Sequence, residues 1–144
     1  MYVCMYPHIY IYVIQETSMN HEEYFAAIPS EMITKYTFFN AKISADPTSK
    51  MYPWRFLSEL AHDYDHVVVK LDKNEYPAEI ALMKILAGDS YLLELIDEMF
   101  FEFHFKDPPL PSMAAESRTK ATLADAYDLF AKIRQAGVRI HGWP

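Results

Sequence analysis

Polar side chains stand at the ends of two strands that the sequence predicts. The valine-rich run at 66–72 ends in Asp72, and Glu102 and His104 alternate with phenylalanines in a run at 99–105. Strand side chains alternate between two faces, so Glu102 and His104 share a face about 6 to 7 Å apart. This spacing suits a common ligand or an acid–base pair bridged by water. We therefore take Asp72, Glu102 and His104 as the candidate catalytic residues.

Each of these residues also has a structural interpretation, which the sequence leaves open. His104 can be satisfied by a neighbouring carboxylate or carbonyl, and Asp72 can be a loop carboxylate or one at the start of a helix. Lys70 lies two residues before Asp72 on the same face, so a plain ion pair between them is a further alternative.

Other polar residues follow two earlier strands, predicted at 9–14 and 35–43. Glu16 comes after the first strand, and Asn40 and Ser44 lie at the end of the second. In open parallel sheets, ligands bind at the carboxyl ends of the strands, and a carboxylate there offers two acceptors to a ribose diol. We therefore expect a ligand site along this edge of the sheet, with Glu16 as the candidate ribose-binding residue.

Metal binding and thiol chemistry have little support in the sequence. His62 and His66 are four residues apart, which is a metal-ligand spacing on a helix, but they span the join between a predicted helix and the valine-rich strand. No metal site is therefore expected. Cys4 is the single cysteine and lies in an apolar run, which indicates a small buried side chain and a reducing compartment.

Length, composition and charge limit the classes of function. A chain of 144 residues, 51% of them hydrophobic, predicts a single domain over 1–144. Its formal net charge of −7 repels phosphate backbones, which argues against nucleic acid as a partner. The apolar run at 1–14 has neither the charged region of a signal peptide nor the length of a membrane span. These features predict a cytoplasmic protein with no membrane partner.

The order of the predicted elements indicates an α/β fold. The strands alternate with helices, which are predicted at 20–28, 53–63 and 77–89 and after Thr122, and a last strand follows Gly137. Thr122 and Asp125 form a capping-box pattern at the start of the last helix, which is expected to carry one apolar face formed by Leu123, Ala126, Tyr127, Phe130 and Ile133. This alternation predicts a mostly parallel sheet with helices on both faces. Only three glycines occur in the whole chain, so a glycine-rich phosphate loop is not expected.

The middle of the chain resembles the FkbM-type methyltransferase domain. Members of that family carry a strand ending in Lys-x-Asp, then a helix, then a strand ending in Glu-x-His. Lys70, Asp72 and Glu79 match the first part of this pattern, and Glu102 and His104 match the second. The end of the chain is similar to eukaryotic relatives that stop in His-x-Trp-Pro.

The resemblance implies a Rossmann-like sheet of the class I methyltransferase type and an enzyme that uses S-adenosylmethionine. It would transfer a methyl group to a hydroxyl oxygen of a small molecule or glycan. Glu16 would bind the ribose, Asn40 or Ser44 would lie near the adenine, and the three candidate catalytic residues would line the acceptor side.

The front of the chain departs from the family pattern. In the family, the first strand lies between the strands that correspond to 9–14 and 66–72, and a glycine-rich loop after it holds the methionine part of the cofactor. The six residues before Pro7 are too few for that strand, its loop and a helix. Loss of the strand would leave two unpaired edges inside the sheet, which favours a homo-oligomer. The alternative function is a non-catalytic α/β domain, or a fragment, that binds a partner.

Overall fold

A computed structural model of the chain describes residues 2–5, 10–15, 21–72, 76–103 and 121–142. Within these residues lie six strands: β1 (Tyr2–Met5), β2 (Tyr10–Ile14), β3 (Tyr36–Phe39), β4 (Val68–Leu71), β5 (Glu98–Phe101) and β6 (Arg139–Gly142). They also hold five α-helices: α1 (His21–Ala26), α2 (Pro53–Leu60), α3 (Tyr76–Gly88), α4 (Ser90–Glu94) and α5 (Leu123–Gln135). The fold is mixed α/β, as predicted.

The six strands form one sheet in the order β3-β2-β1-β4-β5-β6. β2 and β3 pair in parallel, and so do β4, β5 and β6. β1 is antiparallel to both of its neighbours, β2 and β4. Five strands therefore point the same way, and their carboxyl ends lie along one side of the sheet, which we call the carboxyl edge.

The central strand β1 corrects the expectation of a gap inside the sheet. Val3 pairs with Tyr12 of β2 on one side and with Val69 of β4 on the other, so the two neighbouring strands have no open edge there. Four residues separate Met5 from Tyr10. Antiparallel strands can be joined by such a short connection, whereas a parallel pair needs a crossover of about a dozen residues or more. The short connection thus gives a strand at the expected place but in the opposite direction.

One face of the sheet packs against four helices. Alternate residues of β4, β5 and β6 are buried with side chains of α2, α3, α4 and α5 in a single hydrophobic core. Trp54 of α2 is 1% exposed, and its indole N–H donates a hydrogen bond to the carbonyl of Leu82 in α3 at 3.0 Å. This bond ties two helices together beneath the sheet and satisfies the one polar group of a large buried ring.

The other face packs against α1. The rings of Tyr24 and Phe25 in α1 contact the rings of Tyr36 and Phe38 in β3. Phe39 lies next in β3 and contacts Phe56 of α2 instead, with ring centroids 5.1 Å apart. Successive residues of a strand point to opposite faces, so β3 has a helix against each of its two faces.

Local sequence signals define the last helix, but its buried face differs in part from the prediction. The Thr122 hydroxyl accepts a hydrogen bond from the backbone N–H of Asp125, and the Asp125 carboxylate accepts one from the backbone N–H of Thr122, a capping box. Ala126 and Ile133 are buried, as the periodicity predicts. Leu123 and Tyr127 were expected on the same face and are 56% and 66% exposed. Leu123 is the first residue of the helix, and Tyr127 lies one residue, about 100° around the helix, beyond Ala126.

Replacing Val3 by proline tests the central position of β1. Proline removes a backbone N–H, and its ring is poorly accommodated in a strand that is paired on both sides. We expect Val3→Pro to lower the free energy of unfolding by more than about 2 kcal/mol. Urea denaturation followed by circular dichroism measures this loss.

Leu123→Pro is the matched control. Leu123 is the first residue of α5, where the N–H has no partner within the helix, and Thr122 before it is already extended. This variant should stay within about 1 kcal/mol of the parent chain. Equal losses in the two variants would contradict the placement of β1 in the middle of the sheet.

Candidate functional site

The carboxyl edge brings two of the predicted catalytic residues together. Leu71 of β4 lies opposite Phe101 of β5, and Asp72 and Glu102 are the residues that follow them. The backbone N–H of Glu102 donates to the carbonyl of Leu71 at 3.5 Å, which continues the ladder past the strand ends. Neighbouring strands are about 4.8 Å apart. Asp72 and Glu102 thus stand side by side, both half-buried, on the face opposite Leu71 and Phe101.

Lys70 completes this group as the ion-pair partner of Asp72. Its ammonium nitrogen lies 3.0 Å from a carboxylate oxygen of Asp72, and the two side chains are 26% and 28% exposed. The ion pair that the sequence left as an alternative is therefore present. It holds the Asp72 carboxylate against the sheet, next to Glu102, where hydroxyl or amine donors of a ligand could reach both acids.

Glu79 is a further acid that the site prediction did not include. It is the fourth residue of α3, the helix that follows β4, and it is 0% exposed, which makes it the one fully buried charged residue in the described part of the chain. Burial of a carboxylate is costly unless its charge is compensated. A sequence signal was present, because Glu79 precedes Met83 and Leu86 by four and seven residues and so shares their buried helix face.

Of the two predicted adenine-side residues, Asn40 lies further along the same edge. Asn40 follows β3, which is three strand spacings, about 14 Å, from β4 and Asp72. It is exposed at the carboxyl edge. Ser44 is built into a turn instead, where its hydroxyl accepts a hydrogen bond from the backbone N–H of Asp46 at 3.1 Å. The backbone N–H of Thr48 donates a hydrogen bond to the Asp46 carboxylate, and so does the Thr48 hydroxyl. These bonds, the backbone one most strongly, hold the pKa of Asp46 below its ordinary value and stabilise the same turn.

Glu16 and His104 lie outside the described residues. The proposed ribose contact of Glu16 and the pairing of His104 with Glu102 therefore remain predictions.

The described residues do not fit S-adenosylmethionine in the way the resembling family holds it. In that family the loop after the first strand carries the methionine part of the cofactor. Here β1 runs the other way, so that its last residue, Met5, lies opposite Tyr10, the first residue of β2. Its first residue, Tyr2, lies between Val13 and Lys70 on the side of the carboxyl edge. The chain leaves β1 at the edge away from Asp72 and Glu102.

The two histidines of the sequence motif at 62–66 have separate partners. His62 lies 3.3 Å from a carboxylate oxygen of Asp65, and His66 lies 3.4 Å from one of Asp97. The same Asp97 oxygen accepts a hydrogen bond from the backbone N–H of Val67 at 2.8 Å, at the start of β4. Across the described ranges, no three His, Cys, Asp or Glu side chains form a group that could hold a metal ion.

A second polar cluster lies between β5 and β6 and was not predicted. The imidazole Nε2 of His141 lies 2.8 Å from a carboxylate oxygen of Glu98, and Arg139 approaches the other oxygen at 3.9 Å. The ring of Phe100 stacks on His141 with centroids 5.0 Å apart. These side-chain contacts link β5 to β6. Their role is therefore structural, since they hold the outer strand β6 in the sheet.

Comparisons of the chain with protein-family models, with curated proteins and with solved structures find no match. In the part of the chain that the structure describes, no helix is both long and apolar enough to cross a membrane.

Replacing Asp72 by asparagine separates a binding role from a structural one. The ion pair with Lys70 is about one quarter exposed, and pairs of this kind contribute little because solvent screens them. We expect Asp72→Asn to change the free energy of unfolding by less than about 1 kcal/mol in urea denaturation. Asp63→Asn, an exposed change in the turn before β4, is the control. A loss above about 2 kcal/mol for Asp72→Asn alone would identify Asp72 as structural.

Proposed function

We propose that this chain is an FkbM-type methyltransferase-like domain that keeps the acceptor side of the site and binds a hydroxyl-bearing small molecule or glycan without transferring a methyl group on its own. The observation that carries the proposal is the reversed central strand. The acidic pair stays at the carboxyl edge, while β1 ends at the opposite edge, away from the place where the family holds the cofactor.

The order of the strands supports a Rossmann-like origin. The order β3-β2-β1-β4-β5-β6 is that of doubly wound nucleotide-binding sheets, and five of the six strands run in the direction that such sheets require. In these folds the ligand lies outside the carboxyl ends of the strands. Asn40, Asp72 and Glu102 all follow strands at this edge.

The acidic pair supports a ligand rich in hydroxyl groups. Ionised carboxylates are pure acceptors, with about four lone-pair sites each, so Asp72 and Glu102 together can receive several O–H donors. Lys70 holds one of the two acids by its ion pair and adds donors of its own. The formal net charge of −7 disfavours phosphorylated or sulfated ligands. Neutral sugars match this combination.

The second candidate is an active methyltransferase that acts on a hydroxyl oxygen. The adjacency of Asp72 and Glu102 favours it, because a carboxylate within hydrogen-bond reach of an attacking hydroxyl can take up its proton. Lys70 would orient Asp72, and the half-buried position of both acids would limit competition from water. This candidate requires a cofactor cradle that the described residues do not supply.

A titration with S-adenosylmethionine by calorimetry decides between the two candidates. We expect no saturable heat up to about 1 mM cofactor, which corresponds to a binding free energy weaker than about 4 kcal/mol. Micromolar binding that Asn40→Ala weakens about tenfold, and that Asp63→Asn leaves unchanged, would reject the non-catalytic proposal. Methyl transfer to a sugar hydroxyl would then be measured directly.

Saturation-transfer NMR with neutral mono- and disaccharides tests the binding half of the proposal. We expect signals from at least one sugar, reduced by Asp72→Asn because the substitution removes an ionised acceptor, and kept by Asp63→Asn. If no sugar in the panel gives a signal with the parent chain, the acidic pair is not a sugar site and the binding half of the proposal fails.

A further inference from the structure

An apolar cleft opens between α3 and α5. Among the described residues, Ile80 of α3 and Leu129 of α5 form its walls, and Phe103 and Ala121 complete its apolar lining. Its volume is about 410 Å³. Pockets for small molecules range from about 300 to 1,000 Å³ and are mostly apolar with a few polar groups. The cleft thus has the size and lining of a ligand pocket.

The cleft begins one residue away from the candidate site at two points. Ile80 follows the buried Glu79, and Phe103 follows Glu102. Consecutive Cα atoms are 3.8 Å apart, so both connections are short. Since side chains alternate along an extended chain, Phe103 points to the helix-covered face while Glu102 points to the other. A molecule that contacts both the cleft and the acidic pair therefore passes over the end of β5.

Charges at the rim of the cleft select among ligands. Lys84, Asp125 and Asp128 line it, which gives the rim a net charge of −1. The hydroxyl and the backbone N–H of Thr122 hold the pKa of Asp125 below its ordinary value, and the positive charge of Lys84 acts in the same direction. Asp125 is thus ionised at neutral pH and engaged in the helix cap, and both Asp125 and Asp128 are exposed at the rim. An anionic ligand is disfavoured here.

We propose that this cleft binds the apolar part of an amphiphile whose polar end is a neutral or cationic hydrogen-bond donor, either a hydroxyl or an ammonium group. The apolar part lies between Ile80 and Leu129, and the donor end points toward Asp72 and Glu102. The placement of the donor end rests on the proposed function of those two acids. The binding of the apolar part does not.

Two fluorescent probes with the same rings test the cleft. N-phenyl-1-naphthylamine is neutral, and 1-anilinonaphthalene-8-sulfonate adds one negative charge; both become bright in an apolar environment. We expect saturable binding of the neutral probe to the full chain, and binding of the sulfonate that is about tenfold weaker. Tighter binding of the sulfonate would overturn the assignment of ligand charge.

Variants in α5 show where the neutral probe binds. Leu129→Arg puts a charge into the wall of the cleft and should weaken binding of the neutral probe about tenfold or more. Tyr127→Arg places the same charge on the same helix at a side chain that is 66% exposed, and should leave binding unchanged. Thermal unfolding shows whether each variant folds. If Leu129→Arg does not fold, Ala121→Phe, which fills the cleft without burying a charge, takes its place.

The outcomes separate this proposal from the function proposed above. The proposal that the cleft binds a ligand fails if the neutral probe does not saturate. It also fails if the probe binds equally well to the parent chain and to a folded cleft variant. Asp72→Asn should leave the neutral probe unaffected, since this probe has neither a hydroxyl nor an ammonium group to place at the acids. Failure of the sugar or cofactor experiments would therefore leave the probe result unchanged.

Discussion

The fold depends on the backbone pairing of one four-residue strand. β1 bonds to β2 on one side and to β4 on the other, and so joins a two-stranded parallel unit to a three-stranded one. Its direction follows from chain length, because the four residues between Met5 and Tyr10 suffice for a hairpin and not for a crossover. Backbone N–H and C=O groups left without partners inside a sheet are costly. A strand of either direction satisfies them, and this chain can make only the antiparallel one.

The direction of β1 decides which strand ends meet at the carboxyl edge. The parallel units on either side of it place their carboxyl ends on one edge, so Asn40, Asp72 and Glu102 reach that edge whatever β1 does. A loop at the centre of the carboxyl edge would have to follow β1. Because β1 runs the other way, its own carboxyl end lies at the opposite edge of the sheet. Asp72 and Glu102 therefore stay together at the carboxyl edge, while the end of β1 lies on the other side of the sheet.

Much of the fold was predictable because its signals are local. The valine run before Asp72 forms β4, and the capping box of Thr122 and Asp125 begins α5. The strand predicted at 99–105 ends at Phe101; Phe101 and Phe103 are both buried, and the residues from 104 on lie outside the described part of the chain. The features that were missed depend on distant partners or on side-chain environment. Tyr2–Met5 is too short to carry a strand signal and becomes a strand through pairing with β2 and β4. The burial of Glu79 opposes the usual exposure of charged residues, and helical spacing alone indicates it.

β1 also sets a time order on the formation of the sheet. Val3 pairs with Tyr12, nine positions along the chain, and with Val69, sixty-six positions along. Closing a short loop loses little chain entropy, whereas distant contacts form late and slowly. The hairpin of β1 and β2 can therefore assemble early in synthesis, and its second side stays open until β4 has left the ribosome. In that interval the growing chain exposes a strand edge on which a chaperone, or a neighbouring nascent chain, can pair.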